Sequence, residues 1–311
     1  MTQPFPTTTL PALTGVVRLN DWGVIRAAGA DARQFLHGQL TQDVELMRAD
    51  EVRLAGYCSA KGRLLASFVM WRDGEHDVLL ACSADLLPAV LKRLAMFVLR
   101  AKCKLSDASA DLPLWGCAGS LPAPLAAGST RADLPGGTAL RLADAIWGGE
   151  TVPRALWVGS EPPAALTLSS STWQGLEAAS GVARVVAATA EQFVPQMVNL
   201  ELVGGVNFKK GCYPGQEIVA RSQYRGTLKR RAQLLTCEQP VMPGQEVFHD
   251  ADPGQPAGMV VLAGSLPGAP QVALVEVKLA SLEGGSLHAG APDGPALRLA
   301  SLPYALPQEM A

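Results

Sequence analysis

Past Gly226 the chain breaks into short apolar runs: Ala232 to Cys237, Glu246 to Phe248, Gly258 to Ala263, Val272 to Leu279 and Ala296 to Ser301. Pro243-Gly244, Pro253-Gly254 and Pro267-Gly268 fall between them. Pro-Gly pairs turn the chain and cannot continue a helix, so runs this short and this regularly punctuated fold as antiparallel strands. Short strands leave unpaired edges unless they close on one another. The C-terminal part therefore predicts a small antiparallel barrel or sandwich.

Upstream the pattern is mixed. Trp22 to Ala27 reads as a strand, Gly29-Ala30-Asp31 as a turn, and Ala32 to Leu40 as a helix with Phe35, Leu36 and Leu40 on one face. A hairpin follows, from Leu54 to Ser59, across Ala60-Lys61-Gly62, and back through Leu64 to Trp71. Asp85 is the N-cap candidate of the clearest helix, whose apolar positions Leu87, Val90, Leu91, Leu94, Phe97 and Val98 keep helical spacing. From about Ser106 to Leu168 short apolar runs alternate with Ala-, Gly- and Pro-rich loops. Ser171-Thr172 then caps a helix from Trp173 to Ser180 that stops at Gly181. A chain of 311 residues is long for one core and predicts two or three domains.

Composition excludes several classes. With 48% hydrophobic and 17% charged residues the chain is globular rather than disordered. A net charge of −2 gives no global attraction to nucleic acid or anionic membrane. Met1 to Leu13 lacks a basic segment leading into an apolar run, so a cytoplasmic protein is expected, without a membrane partner. The cysteines (58, 82, 103, 117, 212 and 237) and the four histidines are scattered, which argues against a disulfide framework and a metal site.

One cysteine stands apart. Cys212 follows Lys209-Lys210-Gly211 and precedes Tyr213-Pro214-Gly215, with a helix expected from Gln216 to Ser222. Cations and a helix N-terminus favour thiolate, the reactive form. The alternative is a small buried residue in a tight turn. No histidine lies nearby in sequence to act as a base. Between Gly205 and Arg231 seven cations face one acid, Glu217, with Phe208, Tyr213 and Tyr224 interleaved. Such a segment suits a polyanion or a polycarboxylate, or is a solvated helix face. No dinucleotide or P-loop glycine motif occurs.

Lys210-Gly211-Cys212-Tyr213-Pro214-Gly215-Gln216-Glu217 resembles the K-G-C-Y-x-G-Q-E signature of the YgfZ family, folate-binding relatives of the glycine-cleavage T-protein. The resemblance continues through Asp21-Trp22, Gly38 to Asp43, Ala60-Lys61-Gly62, Glu191 to Gln196, Asn199-Leu200, Ile218 to Arg221, Arg225-Gly226, Lys229-Arg230 and Leu302-Pro303-Tyr304. It implies a three-lobed, T-protein-like arrangement of two α+β lobes and a C-terminal antiparallel β-barrel. The lobes expected are 1–50 with 169–226, then 51–168, then 227–311. It also implies tetrahydrofolate, or another reduced folate, as cofactor. Trp22 and Trp173 would flank it, and Cys212 would be the functional thiol, in a loop shaped by Lys210, Gly211, Tyr213, Gly215, Gln216, Glu217 and Arg221.

The function so implied is that of a folate-binding accessory factor for iron–sulfur enzymes, and thereby for tRNA modification. Its partners would be iron–sulfur client enzymes or assembly proteins, with weak tRNA contact. One departure bears on the related T-protein chemistry, aminomethyl transfer, which uses an acidic residue on the strand after a glycine turn. Here that strand reads Gly62-Arg63-Leu64-Leu65-Ala66-Ser67-Phe68-Val69, without Asp or Glu. A folate-dependent aminomethyl- or methyltransferase and a tRNA-binding module are the rival readings.

Overall fold

The computed structural model describes residues 10–126, 130–224 and 228–307. A five-stranded antiparallel sheet takes the strands in the order Val52–Cys58, Leu64–Asp73, Asp77–Ser83, Trp22–Ala28 and Lys104–Asp107. Its middle strands are buried on both faces, and helices α1 (Ala32–His37) and α2 (Leu87–Ala95) pack on it. A second antiparallel sheet has the order Gly15–Arg18, Leu114–Ala118, Arg154–Val158, Gly137–Arg141 and Arg131–Leu134. The expected hairpin of residues 54–71 is present, its strands running Val52–Cys58 and Leu64–Asp73.

Strand pairing runs across the boundary expected at residue 50. Trp22–Ala28 is bonded between Asp77–Ser83 and Lys104–Asp107, whereas Gly15–Arg18 joins the second sheet beside Leu114–Ala118. The first strands of the chain are thus divided between the two sheets, because ladder hydrogen bonds set sheet membership and link residues far apart in sequence.

The C-terminal segment closes into a barrel of Arg230–Cys237, Gln271–Lys278, Gly258–Ser265, Glu246–His249, Leu287–Ala289 and Ala296–Ala300. Its inner residues, among them Leu235, Val247, Val260, Val275 and Val277, form a separate core. Helix α3 (Ser170–Ala179) lies against Gly258–Ser265 and against Ala145–Trp147, joining the barrel to the rest. Two glycines permit this approach: a Cβ on Gly264 would fall onto the amide nitrogen of Gly175, and one on Gly175 would come within 2.9 Å of the Ser265 carbonyl oxygen.

Several ends differ from the sequence reading. α1 stops at His37, and Leu40 instead bridges to Tyr57. Leu86, not Asp85, precedes α2; the Asp85 carboxylate accepts from the Ala187 amide at 3.0 Å. α2 ends at Ala95 in i to i+3 bonds, which leaves Phe97 half exposed. Ser169 caps α3, its hydroxyl accepting from the Thr172 amide at 3.0 Å. Among the described residues no helix is long and apolar enough to cross a membrane.

Candidate functional site

A cavity of about 190 Å³ opens where the two sheets and α3 meet. Val52, Leu54, Phe68, Val182, Leu200 and Val203 give it apolar walls, and Trp22, Arg141, Asp144, Arg154, Glu177 and Arg184 give it polar ones. Trp22 is there because it opens its strand directly after Asp21. Arg184, buried, stacks on it with the guanidinium carbon 4.8 Å from the ring centroid. The same guanidinium bonds Asp21 at 2.8 Å, Glu177 at 3.1 Å and the Ser83 hydroxyl at 2.8 Å. Burial pushes the Glu177 carboxyl up and the Arg184 charge opposes this; Arg184 itself is held up by Glu177 and Asp21 against its own burial.

Trp173 on α3 is buried but does not line the cavity. It reaches it through Arg154, whose guanidinium carbon lies 5.3 Å from the Trp173 ring centroid. Arg141, one strand over, donates to the carbonyls of Leu142 at 2.7 Å and Arg154 at 2.9 Å, and pairs with Asp144. Four buried donors in this group have no hydrogen-bond partner: Trp22 Nε1, Trp173 Nε1, Arg141 Nε and Arg154 Nη1. Such groups are rare in native proteins and mark a place for a ligand or ordered water. Ser67 also lines the cavity, its hydroxyl accepting from the Val185 amide at 2.9 Å.

The signature loop sits elsewhere; none of residues 210–217 lines the cavity. Lys210 is buried, its ammonium donating to the carbonyls of His37 and, at 2.8 Å, Leu40, and lying 4.8 Å from the Tyr213 ring centroid. Burial pulls this amine down to about 8, with Asp43 opposing. Tyr213 is buried, and burial raises its hydroxyl. Gly215 takes φ +78°, and a Cβ there would strike the Ser59–Gly62 turn, so the hairpin and the loop are pressed together only because both positions are glycine. Gln216 begins α4 (Gln216–Tyr224), on which Glu217 and Arg221 are exposed.

Gly211 and Cys212 are exposed as well. The thiols of Cys58, Cys82 and Cys117 are buried and pushed up to about 12, and half-buried Cys103 to about 11, by burial. Cys237 is also buried, so Cys212 is the one exposed cysteine. His37 stands beside the neighbouring Gly211, where a Cβ would lie 3.7 Å from its Nε2, and its Nδ1 is 3.3 Å from Asp43.

The basic segment does not act as one face. Arg231 pairs with Glu201 at 2.8 Å in the interior, Arg230 with Glu276 at 2.9 Å, and Lys210 is used internally. Lys209, Arg221 and Lys229 remain exposed; Arg225 and Gly226 lie outside the described residues. Sequence reasoning missed Arg141, Arg154, Glu177 and Arg184. The available signal was a single arginine inside an apolar run, as in Val152-Pro153-Arg154-Ala155-Leu156, where a buried charge requires a partner.

No family model matches the chain. It is 32% identical over 329 residues to the tRNA-modifying protein YgfZ of Escherichia coli (strain SMS-3-5), covering 98% of this chain and 97% of that protein. The tRNA-modifying protein YgfZ of Escherichia coli O157:H7 is 34% identical over 256 residues, covering 75% and 74%. Among solved structures, glycine cleavage system aminomethyltransferase T from Bartonella henselae matches with a TM-score of 0.65 at 16% identity, over 96% of this chain and 91% of that one. The fold is therefore T-protein-like, α+β with a closed C-terminal barrel.

Proposed function

The chain belongs to the YgfZ family, and from that premise we propose that it binds tetrahydrofolate in the cavity beside Trp22 and supports iron–sulfur enzymes that act in tRNA modification. The observation that carries the folate reading is three unpartnered buried donors of the cavity lining, Trp22 Nε1, Arg141 Nε and Arg154 Nη1, among apolar walls, with the Glu177 carboxylate beside them. A pterin ring needs this combination: flat apolar surfaces, donors for its oxygen and nitrogen acceptors, and an acceptor for its own N–H groups. The cavity is smaller than the roughly 300–1,000 Å³ usual for whole ligands, so the ring would sit inside and the glutamyl tail outside.

A reduced folate carries one-carbon units. Around it, Trp22 and Arg184 form one wall, Glu177 orients the ring, and Trp173 supports Arg154 from behind. Ser67 lies on the strand where T-protein chemistry needs a carboxylate, and its hydroxyl already accepts a backbone N–H. A hydroxyl so held is a poor general base, which weighs against aminomethyl or methyl transfer. Cys212, exposed and outside the cavity, would meet a partner macromolecule, an iron–sulfur client enzyme or assembly protein, rather than the folate.

Tetrahydrofolate should quench the intrinsic tryptophan fluorescence, and Trp22→Phe should remove most of the quenching. An unchanged spectrum at saturating folate would sink the cofactor assignment. A Cys212→Ala strain should lose tRNA thiolation under oxidative stress while the purified variant keeps folate binding. Normal thiolation in that strain would remove the thiol's role.

A further inference from the structure

Arg154 is 3% exposed, at the start of Arg154–Val158, on the cavity wall. Its Nε donates to the Ala143 carbonyl at 3.1 Å, and its Nη1 has no partner. The other two cavity arginines are matched: Arg141 by Asp144, and Arg184 by Glu177 and Asp21. No carboxylate of the described residues stands within ion-pair distance of Arg154. Its burial lowers the guanidinium to about 10, which still leaves it charged near neutral pH. A buried cation with an idle N–H is costly unless something fills it.

What fills it is constrained by its neighbours. A second carboxylate is opposed by Glu177 and Asp144, which line the same cavity. A neutral carbonyl is not. Glu177 accepts one Arg184 N–H on each oxygen, at 3.2 and 3.1 Å, and so retains lone pairs for a ring N–H. A donor and an acceptor on one apolar-walled cavity match the adjoining C=O and N–H of a 4-oxopteridine.

Resting on the folate reading, we propose that Arg154 donates to the ring carbonyl oxygen and makes the cavity selective for 4-oxo over 4-amino pteridines. A 4-amino ring would present N–H groups to a guanidinium that has only N–H groups to offer. Sites built on a hydrogen bond reject the mismatched analogue because the buried group is left unpaired.

The full chain should be titrated anaerobically, by calorimetry, with tetrahydrofolate and with tetrahydroaminopterin, its 4-amino counterpart. The wild type should favour tetrahydrofolate by at least roughly tenfold, one hydrogen bond's worth. Arg154→Met should bind the two within about twofold of each other. Equal affinities in the wild type overturn the assignment, and this arm needs no variant to fold. A preference kept by a folded Arg154→Met also overturns it. Wild-type protein that binds neither pteridine removes the folate reading itself, a distinct result.

Discussion

Glu276 lies inside the barrel strand Gln271–Lys278, 2% exposed, with Arg230 at 2.9 Å as its ion-pair partner. Burial lifts its carboxyl from the ordinary 4.5 to about 7, against the pull of Arg230, Arg63 and Lys278. The sign of the consequence follows from linkage. Below the ordinary carboxylate value both states are protonated and stability is complete. Between there and about 7 the unfolded chain has released a proton that the native chain keeps, so stability falls as pH rises, then levels off. Such a shift corresponds to a loss on the order of 3 kcal/mol. Glu276→Gln keeps the shape and cannot ionise, so urea unfolding across this pH range should show a flatter slope than wild type; parallel slopes would contradict it. Little of this was legible beforehand. Glu276 sits in Val275-Glu276-Val277, which reads as an alternating strand with its acid outside. It does face away from the barrel core, and it is buried because Arg63, Gln192, Phe193 and Met197, distant in sequence, lie over that side. Arg154 escaped notice for the same kind of reason, whereas Cys212 did not, because its glycines, proline and lysines are all local.

At the scale of elements, strands announced themselves through alternation and punctuation, and the hairpin at 52–73 stands where its turn residues put it. What failed to announce itself depended on distant pairing. Leu287–Ala289 is three residues long, too short for a periodic signal, and exists because Glu246–His249 and Ala296–Ala300 flank it. Trp22–Ala28 is legible as a strand, but its sheet is not, since its neighbours come from residues 77–83 and 104–107. The docking of α3 on the barrel is another such feature, and it is testable. Gly264→Ala places a methyl on the Gly175 amide, where backbone rather than a flexible side chain must yield. It should cost about 1–3 kcal/mol, as overpacking does. Gly254→Ala, with nothing within 4 Å and no left-handed backbone, should leave stability within about 0.5 kcal/mol of wild type. Thermal melts of the two variants compare them; equal melting temperatures would mean that the seam between α3 and the barrel bears no strain.

Over the whole molecule, the distribution of charge decides how directly it could hold a nucleic acid. The chain carries −2 overall, and its most basic segment, seven cations between Gly205 and Arg231, looks in sequence like a polyanion site. Folding disperses it. Lys210 holds two carbonyls, Arg230 and Arg231 hold carboxylates, and Lys209, Arg221 and Lys229 stay on the surface, with Arg225 outside the described residues. Each phosphate neutralised contributes about −0.9 to the slope of log affinity against log salt. The three exposed cations among the described residues therefore predict a slope of about −3 for tRNA, and a face using all seven would give about −6. Filter binding between about 50 and 200 mM salt separates the two. Changing Lys209 and Arg221 together to glutamine should take about 2 off the magnitude of the slope. Folate binding should not change, because neither residue lines the cavity. A slope near −6 would require the interior pairs of Arg230 and Arg231 to open on binding, a rearrangement costly enough to favour the shallow slope.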